Sequence, residues 1–246
     1  MIGWIDADWD AQPGIVAGTT TRTGGVSKDG YASLNLGAHV DDDPASVAAN
    51  RARLVEALKL DAEPRWLQQV HGRDVAHVDT NSVGVPSADA SVTSTPGVPL
   101  VIMTADCLPV LVVNRAGTEI AAAHGGWRGL ADGVLAATVA RLQSSPADLL
   151  AWLGPAISQP RFEVGGEVRE AFVRRSASLA RCFEANTSGR YQADLYGIAR
   201  QQLLDLGVGT VSGGGFCTHT DSEHFFSHRR NPRCGRMASV IMIPAT

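Results

Sequence analysis

The chain has 246 residues, of which 44% are hydrophobic and 19% are charged, and its formal net charge is −4 at pH 7. This composition is typical of globular proteins and excludes an intrinsically disordered chain. The two signs of charge are interspersed without a broad basic face, which argues against a nucleic-acid partner.

The N-terminus and the cysteines indicate a compartment. The first ten residues carry acids and no basic region, and the apolar runs are shorter than the ~18 residues that span a bilayer, so we expect neither export nor membrane insertion. The cysteines are Cys107, Cys182, Cys217 and Cys234, with no CxxC pair. We therefore expect free thiols, a cytoplasmic protein and, without repeats or a linker, one domain over residues 1–246.

Hydrophobic spacing and turn residues predict alternating helices and strands. Asp43-Pro44 starts a helix that ends near Leu60. Further helices are predicted over residues 130–143, 167–175 and 193–206. Strands are predicted over residues 100–103, 109–113, 119–123, 149–153, 210–212 and 238–243.

These elements predict an α/β or mixed α+β fold with a mixed sheet. A hairpin turn is predicted at residues 114–117, between two of the strands. No GxGxxG follows a predicted strand and no GxxxxGK[ST] occurs, which disfavours a Rossmann or P-loop enzyme.

The hairpin brings two metal-binding residue types together. If it closes with Val113 opposite Thr118, antiparallel pairing places Cys107 directly opposite His124. Opposed residues hold their Cβ atoms about 4.5–5.5 Å apart, which allows a thiolate and an imidazole to share one metal ion. The alternative is an ordinary buried cysteine and a hydrogen-bonded core histidine.

His71, which precedes Gly72 at the end of a short apolar run, is the best third ligand. Three protein ligands with an open fourth position are typical of catalytic zinc. Mixed cysteine and histidine ligation fits zinc or copper and argues against magnesium or calcium.

Two loops carry arginines beside glycines or aromatic residues. Residues 19–27 surround Arg22 with hydroxyls and two glycines, which could offer N–H groups and a guanidinium to an anion, although a plain surface loop is the alternative. Residues 225–230 set two phenylalanines beside His228, Arg229 and Arg230, and Arg236 follows. This pattern favours stacking on a base and charge for phosphate.

At these residues the chain resembles the family once called multicopper polyphenol oxidase, or laccase-domain, proteins and now described as purine nucleoside phosphorylases. The matching motifs follow one another along nearly the whole chain. They are Arg22-Thr23-Gly24-Gly25-Val26-Ser27, Ser33-Leu34-Asn35-Leu36-Gly37, Gln69-Val70-His71-Gly72, Thr104-Ala105-Asp106-Cys107, His124-Gly125-Gly126-Trp127-Arg128-Gly129, Trp152-Leu153-Gly154-Pro155-Ala156-Ile157, Phe162-Glu163-Val164-Gly165, Ala193-Asp194-Leu195-Tyr196 and Phe226-Ser227-His228-Arg229-Arg230.

The resemblance implies a layered α/β/β/α domain with zinc held by His71, Cys107 and His124. It implies phosphorolysis of adenosine, inosine and methylthioadenosine to a free base and ribose 1-phosphate, together with adenosine deamination. The residues that we expect to contact substrate or phosphate are Arg22, Asn35, Arg128 and Arg230. His228 and Asn231 stand where the family more often has tyrosine and an acid, so the region near the base is expected to differ.

Other classes of function use the same residues differently. A copper-dependent polyphenol oxidase is the first alternative, but no His-x-His dipeptide of the kind found in trinuclear copper centres occurs. A structural zinc module and a metal-free cysteine hydrolase with Cys107 as nucleophile and His124 as base are the others. The expected partners are small purine nucleosides and phosphate, and the sequence leaves a homo-oligomer open.

Overall fold

The structure, a computed structural model, describes residues 1–245. The α-helices of this part of the chain are α1 (Pro44–Leu58), α2 (Trp127–Asp132), α3 (Val134–Val139), α4 (Gly166–Val173) and α5 (Leu195–Asp205). Its strands are β1 (Trp4–Asp6), β2 (Val16–Thr20), β3 (Val75–His77), β4 (Ala90–Thr93), β5 (Leu100–Thr104), β6 (Leu108–Asn114), β7 (Ile120–Gly125), β8 (Leu149–Leu153), β9 (Glu163–Val164), β10 (Phe183–Ala185), β11 (Tyr191–Ala193), β12 (Thr210–Gly213) and β13 (Met237–Met242).

Two large sheets pack face to face. Over residues 1–245, six strands form a mixed sheet in the order β12-β8-β6-β7-β4-β3, and four form an antiparallel sheet in the order β1-β2-β13-β5. Ile102 and Ile241 of the smaller sheet share a buried apolar cluster with Leu111, Ile120 and Trp152 of the larger one. The two sheets therefore bury one apolar core between them.

Helices cover the outer face of each sheet. Leu54 of α1 packs in a cluster with Val101 and Val240 of the four-stranded sheet. On the six-stranded sheet, helices α2 to α5 cover a cluster that contains Val110 and Ala123. The predicted mixed α/β fold with α/β/β/α layers is confirmed.

The first helix forms for the predicted reasons. Asp43 accepts hydrogen bonds from the backbone N–H groups of Ala45 and Ser46, Pro44 occupies the first turn, and the chain turns left-handed at Lys59. The helix ends at Leu58, close to the predicted end.

The predicted register of the hairpin is wrong by two residues. Val113 pairs with Ile120, and Pro109 pairs with His124. The Asn114 side-chain oxygen accepts hydrogen bonds from the N–H groups of Thr118 and Glu119, which lengthens the connecting loop. Cys107 lies just before β6 and is thus a diagonal neighbour of His124, not the residue directly opposite it.

The single helix predicted over residues 130–143 is two short helices. The chain breaks at Gly133, whose φ is +95°, and the first helix starts earlier, at Trp127. Gly133 adopts a conformation that other residues reach only at a cost, so it ends α2 and starts α3. The predicted inward positions Leu130, Val134 and Leu135 are nonetheless buried.

Several short strands were missed by the sequence patterns. They include β1 and β2 near the N-terminus, β4, and the three-stranded sheet β10-β11-β9. Within residues 1–245, no helix is long and apolar enough to cross a membrane.

Candidate metal centre

The structure brings His71, Cys107 and His124 together from three different segments. His71 lies in the loop before β3, Cys107 in the turn between β5 and β6, and His124 near the end of β7. Their ligand atoms all lie within 4.8 Å of one another, and Cys107 Sγ is 3.9 Å from His71 Nε2. Exposure falls from His71, which is exposed, to His124, which is buried.

Gly126 leaves the space in which these side chains meet. A Cβ atom at this position would lie 2.9 Å from Cδ2 of His71, 3.3 Å from Sγ of Cys107 and 3.5 Å from Cε1 of His124. Any larger residue would have to displace one of the three side chains. Gly126 is also the N-cap of α2, which leads the chain away from the site.

The fully buried carboxylate of Asp89 orients the His124 ring and holds the backbone at His71. The carboxylate accepts hydrogen bonds from the backbone N–H groups of Val70, His71 and Gly72, with N···O distances of 3.1, 2.9 and 2.6 Å. It also lies 2.8 Å from Nδ1 of His124. These three backbone hydrogen bonds hold the loop in a conformation in which His71 has a φ of +61°. A proton on Nδ1 of His124, shared with Asp89, leaves Nε2 free to bind a metal.

Hydrogen bonds and neighbouring charges oppose the effect of burial on the pKa values of Cys107, His124 and Asp89. Burial alone would raise the pKa of Cys107, but the charge and hydrogen bond of His124, assisted by His71, lower it to about 6. Burial would lower the pKa of His124, but Cys107 and Asp89 raise it to about 9. Burial opposes ionisation of Asp89 as well, yet the hydrogen bonds from His124 and the backbone keep its pKa below the usual value. The site therefore favours a thiolate.

This donor set fits a metal ion of the zinc or copper class. A tetrahedral site with Zn–S near 2.3 Å and Zn–N near 2.1 Å separates its ligand atoms by roughly 3.5 Å, close to the distance between Cys107 and His71. Within residues 1–245 the ligand group consists of these three side chains, so a tetrahedral metal ion held by them would have one further coordination position.

Two cavities flank the three ligands, and both are lined by His71 and Cys107. One, of about 140 Å³, is largely apolar. Its other lining side chains include Trp127, Arg128, Ile157, Phe162, Leu195 and Arg229. The other, of about 310 Å³, is also lined by His39, Thr104 and Arg236. An aromatic side and a polar side thus meet at the ligands.

Among the predicted substrate residues, Arg128 lines the apolar cavity, with its guanidinium 4.5 Å from the Trp127 ring centroid. The structure does not place Arg22, Asn35 or Arg230 among the described residues that line either cavity.

Those side chains bond to backbone instead. The guanidinium of Arg22 donates to the carbonyls of Ala32 and Ser222 and lies over Phe226. Arg230 donates to the carbonyls of Thr218, His219 and Phe225. Asn35, fully buried, accepts the N–H groups of Gly37 and Arg236. All three hold loops in place.

Sequence patterns missed Asp89, included Thr104 only as part of a motif, and noted Arg236 only as a charge for phosphate that follows residues 225–230. Asp89 precedes a short strand, where a carboxylate reads as a turn residue, and Thr104 ends a buried strand. Asp106 was noted only as part of a motif, but its carboxylate accepts hydrogen bonds from the Thr218 hydroxyl and the Arg229 N–H. It thereby fixes the C-terminal loop beside Cys107.

Comparisons with known proteins agree over the whole chain. Residues 16–244 match the model of a family described as multi-copper polyphenol oxidoreductase laccase. A Pseudomonas aeruginosa protein named purine nucleoside phosphorylase is 52% identical over 99% of both chains, and Escherichia coli YfiH, with the same name, is 51% identical over 97% of this chain and 98% of its own. The crystal structure of Neisseria meningitidis protein NMB0706 is 46% identical, covers 99% of this chain and 100% of its own, and has a TM-score of 0.95.

Proposed function

This chain belongs to the family described as multi-copper polyphenol oxidoreductase laccase, and we propose that it is a zinc-dependent purine nucleoside phosphorylase. One observation carries the proposal: His71, Cys107 and His124 converge with one side open between an aromatic and a polar cavity. The names of relatives that are about half identical over nearly the full length support the same reaction.

Zinc is the metal that we propose for the site. His71, Cys107 and His124 would hold it, and Asp89 would keep His124 in the required tautomer. When bound by these residues, zinc would supply Lewis-acid chemistry. Two histidines and a cysteine also suit copper, so a copper-dependent polyphenol oxidase is the alternative that metal analysis tests.

The proposed reaction is phosphorolysis of adenosine, inosine and methylthioadenosine. A phosphate oxygen forms a bond to C1′ of the ribose as the C1′–N9 bond breaks. The electron pair of that bond passes to the purine, which takes up a proton and leaves as the free base. Trp127 and Phe162 offer flat apolar surfaces for the purine, and we propose that Arg128 contacts the substrate at the rim.

Adenosine deamination is a second reaction that we propose for this site. The oxygen of water replaces the 6-amino group of adenine, and ammonia leaves. It requires no phosphate, so the two reactions can be separated by omitting phosphate from the assay. We further propose that residues 1–246 act as one domain in the cytoplasm, a compartment that suits the free thiols of the four cysteines.

The test is incubation of the purified protein with adenosine, with and without phosphate. Chromatography measures adenine, hypoxanthine, inosine and ribose 1-phosphate, and atomic absorption measures bound zinc. We expect the purified protein to contain zinc and to release the free base from adenosine only when phosphate is present. Inosine formed without phosphate supports the deaminase. Protein that contains zinc but leaves nucleosides unchanged contradicts both reactions, and phenol oxidation by protein that contains copper favours the alternative.

A metal-free cysteine hydrolase is a second candidate, favoured by one observation. Asp89, His124 and Cys107 are arranged as an orienting acid, a base and a thiol whose pKa is lowered to about 6. Chelation separates the candidates, because removal of the metal should abolish phosphorolysis and leave a cysteine hydrolase active.

A further inference from the structure

A residue in the wall of the polar cavity beside the metal ligands has a buried hydroxyl without a partner. Thr104 is 1% exposed and lines this cavity of about 310 Å³. Among residues 1–245 its Oγ1 has no hydrogen-bond partner. A buried hydroxyl left unpaired is costly, so the position favours a ligand with an oxygen or nitrogen acceptor.

Arg236 places a positive charge in the same cavity. Met237, the first residue of β13, pairs with Thr104 at the end of β5, so Arg236 lies at the same edge of the sheet. Nη1 of Arg236 donates to the carbonyls of Cys234 and Gly235. The part of the chain that the structure describes contains no carboxylate paired with this guanidinium. Its charge is therefore left for a ligand.

The motif around Asn35 and Gly37 positions this arginine. Asn35 accepts the backbone N–H of Arg236, and the Leu36 N–H donates to the carbonyl of Arg236. A Cβ at Gly37 would lie 2.8 Å from Cγ of Arg236 and 3.4 Å from Cε1 of His39. Glycine at this position lets both side chains approach the backbone.

His39 lines the same cavity, close to positively charged side chains. Burial lowers its pKa, and the positive charges of Arg236 and Arg51 lower it further. A neutral imidazole can still donate one hydrogen bond. The side chains of Arg236, His39 and Thr104 thus offer a cation and two neutral donors, which is the chemistry that binds an oxyanion.

We propose that Arg236, His39 and Thr104 bind inorganic phosphate as the second substrate, on the polar side of His71 and Cys107. The inference rests on the proposed phosphorolysis and names the subsite of its nucleophile. Phosphate held there lies across the metal ligands from the aromatic cavity, so a nucleoside with its base among Trp127 and Phe162 can present C1′ between the two. Asn35 acts as a positioning residue through Arg236.

Steady-state kinetics tests the assignment. Arg236→Gln should raise KM for phosphate roughly 10- to 100-fold, because a charge-assisted contact is lost, and should change KM for adenosine far less. Thr104→Val should raise KM for phosphate about 3- to 10-fold. Thr104→Ser, which keeps the hydroxyl, should have a KM for phosphate close to that of the wild-type protein. Arg233→Gln is the matched control on the same loop, since Arg233 is exposed and does not line the cavity.

Direct binding separates this inference from the activity. Calorimetry with inorganic phosphate should give a dissociation constant that rises in Arg236→Gln and Thr104→Val, even if no nucleoside is cleaved. Equal phosphate binding by wild-type and Arg236→Gln proteins would overturn the assignment. A loss in Arg22→Gln instead would place phosphate at that loop. If adenosine 5′-monophosphate, and not inorganic phosphate, loses affinity in Arg236→Gln, the site is one for a nucleotide phosphate and the proposal fails.

Discussion

Cys107 and Cys217 both lie in loops, and both have a thiol pKa below the ordinary value, for different reasons. At Cys107, His124 and His71 oppose the effect of burial. At Cys217, burial is likewise opposed, but by hydrogen bonds from Ser158 and Thr220, and the pKa is about 7. In the described residues, only Cys107 belongs to a group of ligands. A low thiol pKa alone therefore does not identify a metal centre; convergence of several donors does.

Removal of each thiol in turn should give the largest difference between the two cysteines. Cys107→Ser should lose its zinc on dialysis and lower the phosphorolysis rate at least about 100-fold, because a ligand matters more than the outer partners that orient it. Cys217→Ser should keep its zinc and its rate within about twofold. Atomic absorption and base release measure the two effects. If the Cys107→Ser protein kept its zinc and its activity, Cys107 would not be a ligand of the metal centre.

The orientation of the histidines at Cys107 can be tested through Asp89. Asp89→Asn should weaken zinc binding about 10- to 100-fold, because the amide replaces one acceptor with a donor that faces N–H groups. Competition with a chelator measures the affinity, and the NMR signal of the His124 Nδ1 proton should shift or disappear. Asp74→Asn, an exposed change nearby, is the control. Unchanged affinity and an unchanged proton signal would show that Asp89 does not position His124.

Filling the space between the three ligands at Gly126 should have a smaller effect on zinc binding. Gly126→Ala should weaken zinc binding by up to about tenfold, since moving the His71 ring from its rotamer costs about 0.5–1.5 kcal/mol. Gly166→Ala is the matched control, because a Cβ there meets nothing within 4 Å. The same competition experiment measures both variants. Equal affinities in the two variants would mean that the ligands move apart without cost.

The smallest effect concerns Cys217 alone. The thiolate is the reactive form, so its alkylation by iodoacetamide should rise with pH and level off above about 7. Thr220→Val, which removes one of the two hydroxyls that lower this pKa, should move the midpoint to higher pH. Mass spectrometry of peptides measures each site, with Cys182 as an internal control because burial raises its pKa. An alkylation midpoint near the pKa of an ordinary thiol would show that the neighbouring hydroxyls do not lower the pKa of Cys217.

The layers and the centre were largely accessible from the sequence, and their details were not. Hydrophobic runs indicate buried strands such as β8 wherever they occur, and His71, Cys107 and His124 stand out by residue type and by motif. The hairpin register failed because it depends on the Asn114 side chain, which no periodicity reveals. Even so, Cys107 stays next to His124, since a slip of two residues keeps both on the same face.

Roles that depend on distant contacts could not be predicted. Arg22 and Arg230 have the right charge in the right motifs, but the loops wrap around their guanidinium groups. Asp89 and Thr104 carry no local signal, because each becomes informative only when the fold buries it. Residue type predicts which chemistry is available, and packing decides which side chain is left to perform it.

The position of β13 has a consequence for the order of assembly. This last strand lies between β2 and β5, so the four-stranded sheet cannot close until Met242 has left the ribosome. The six-stranded sheet draws its strands from residues 75–213 and can pair earlier during synthesis. His71, Cys107 and His124 can therefore meet while the N-terminal strands still wait for a partner, and a chain truncated before Met237 would expose two unpaired strand edges.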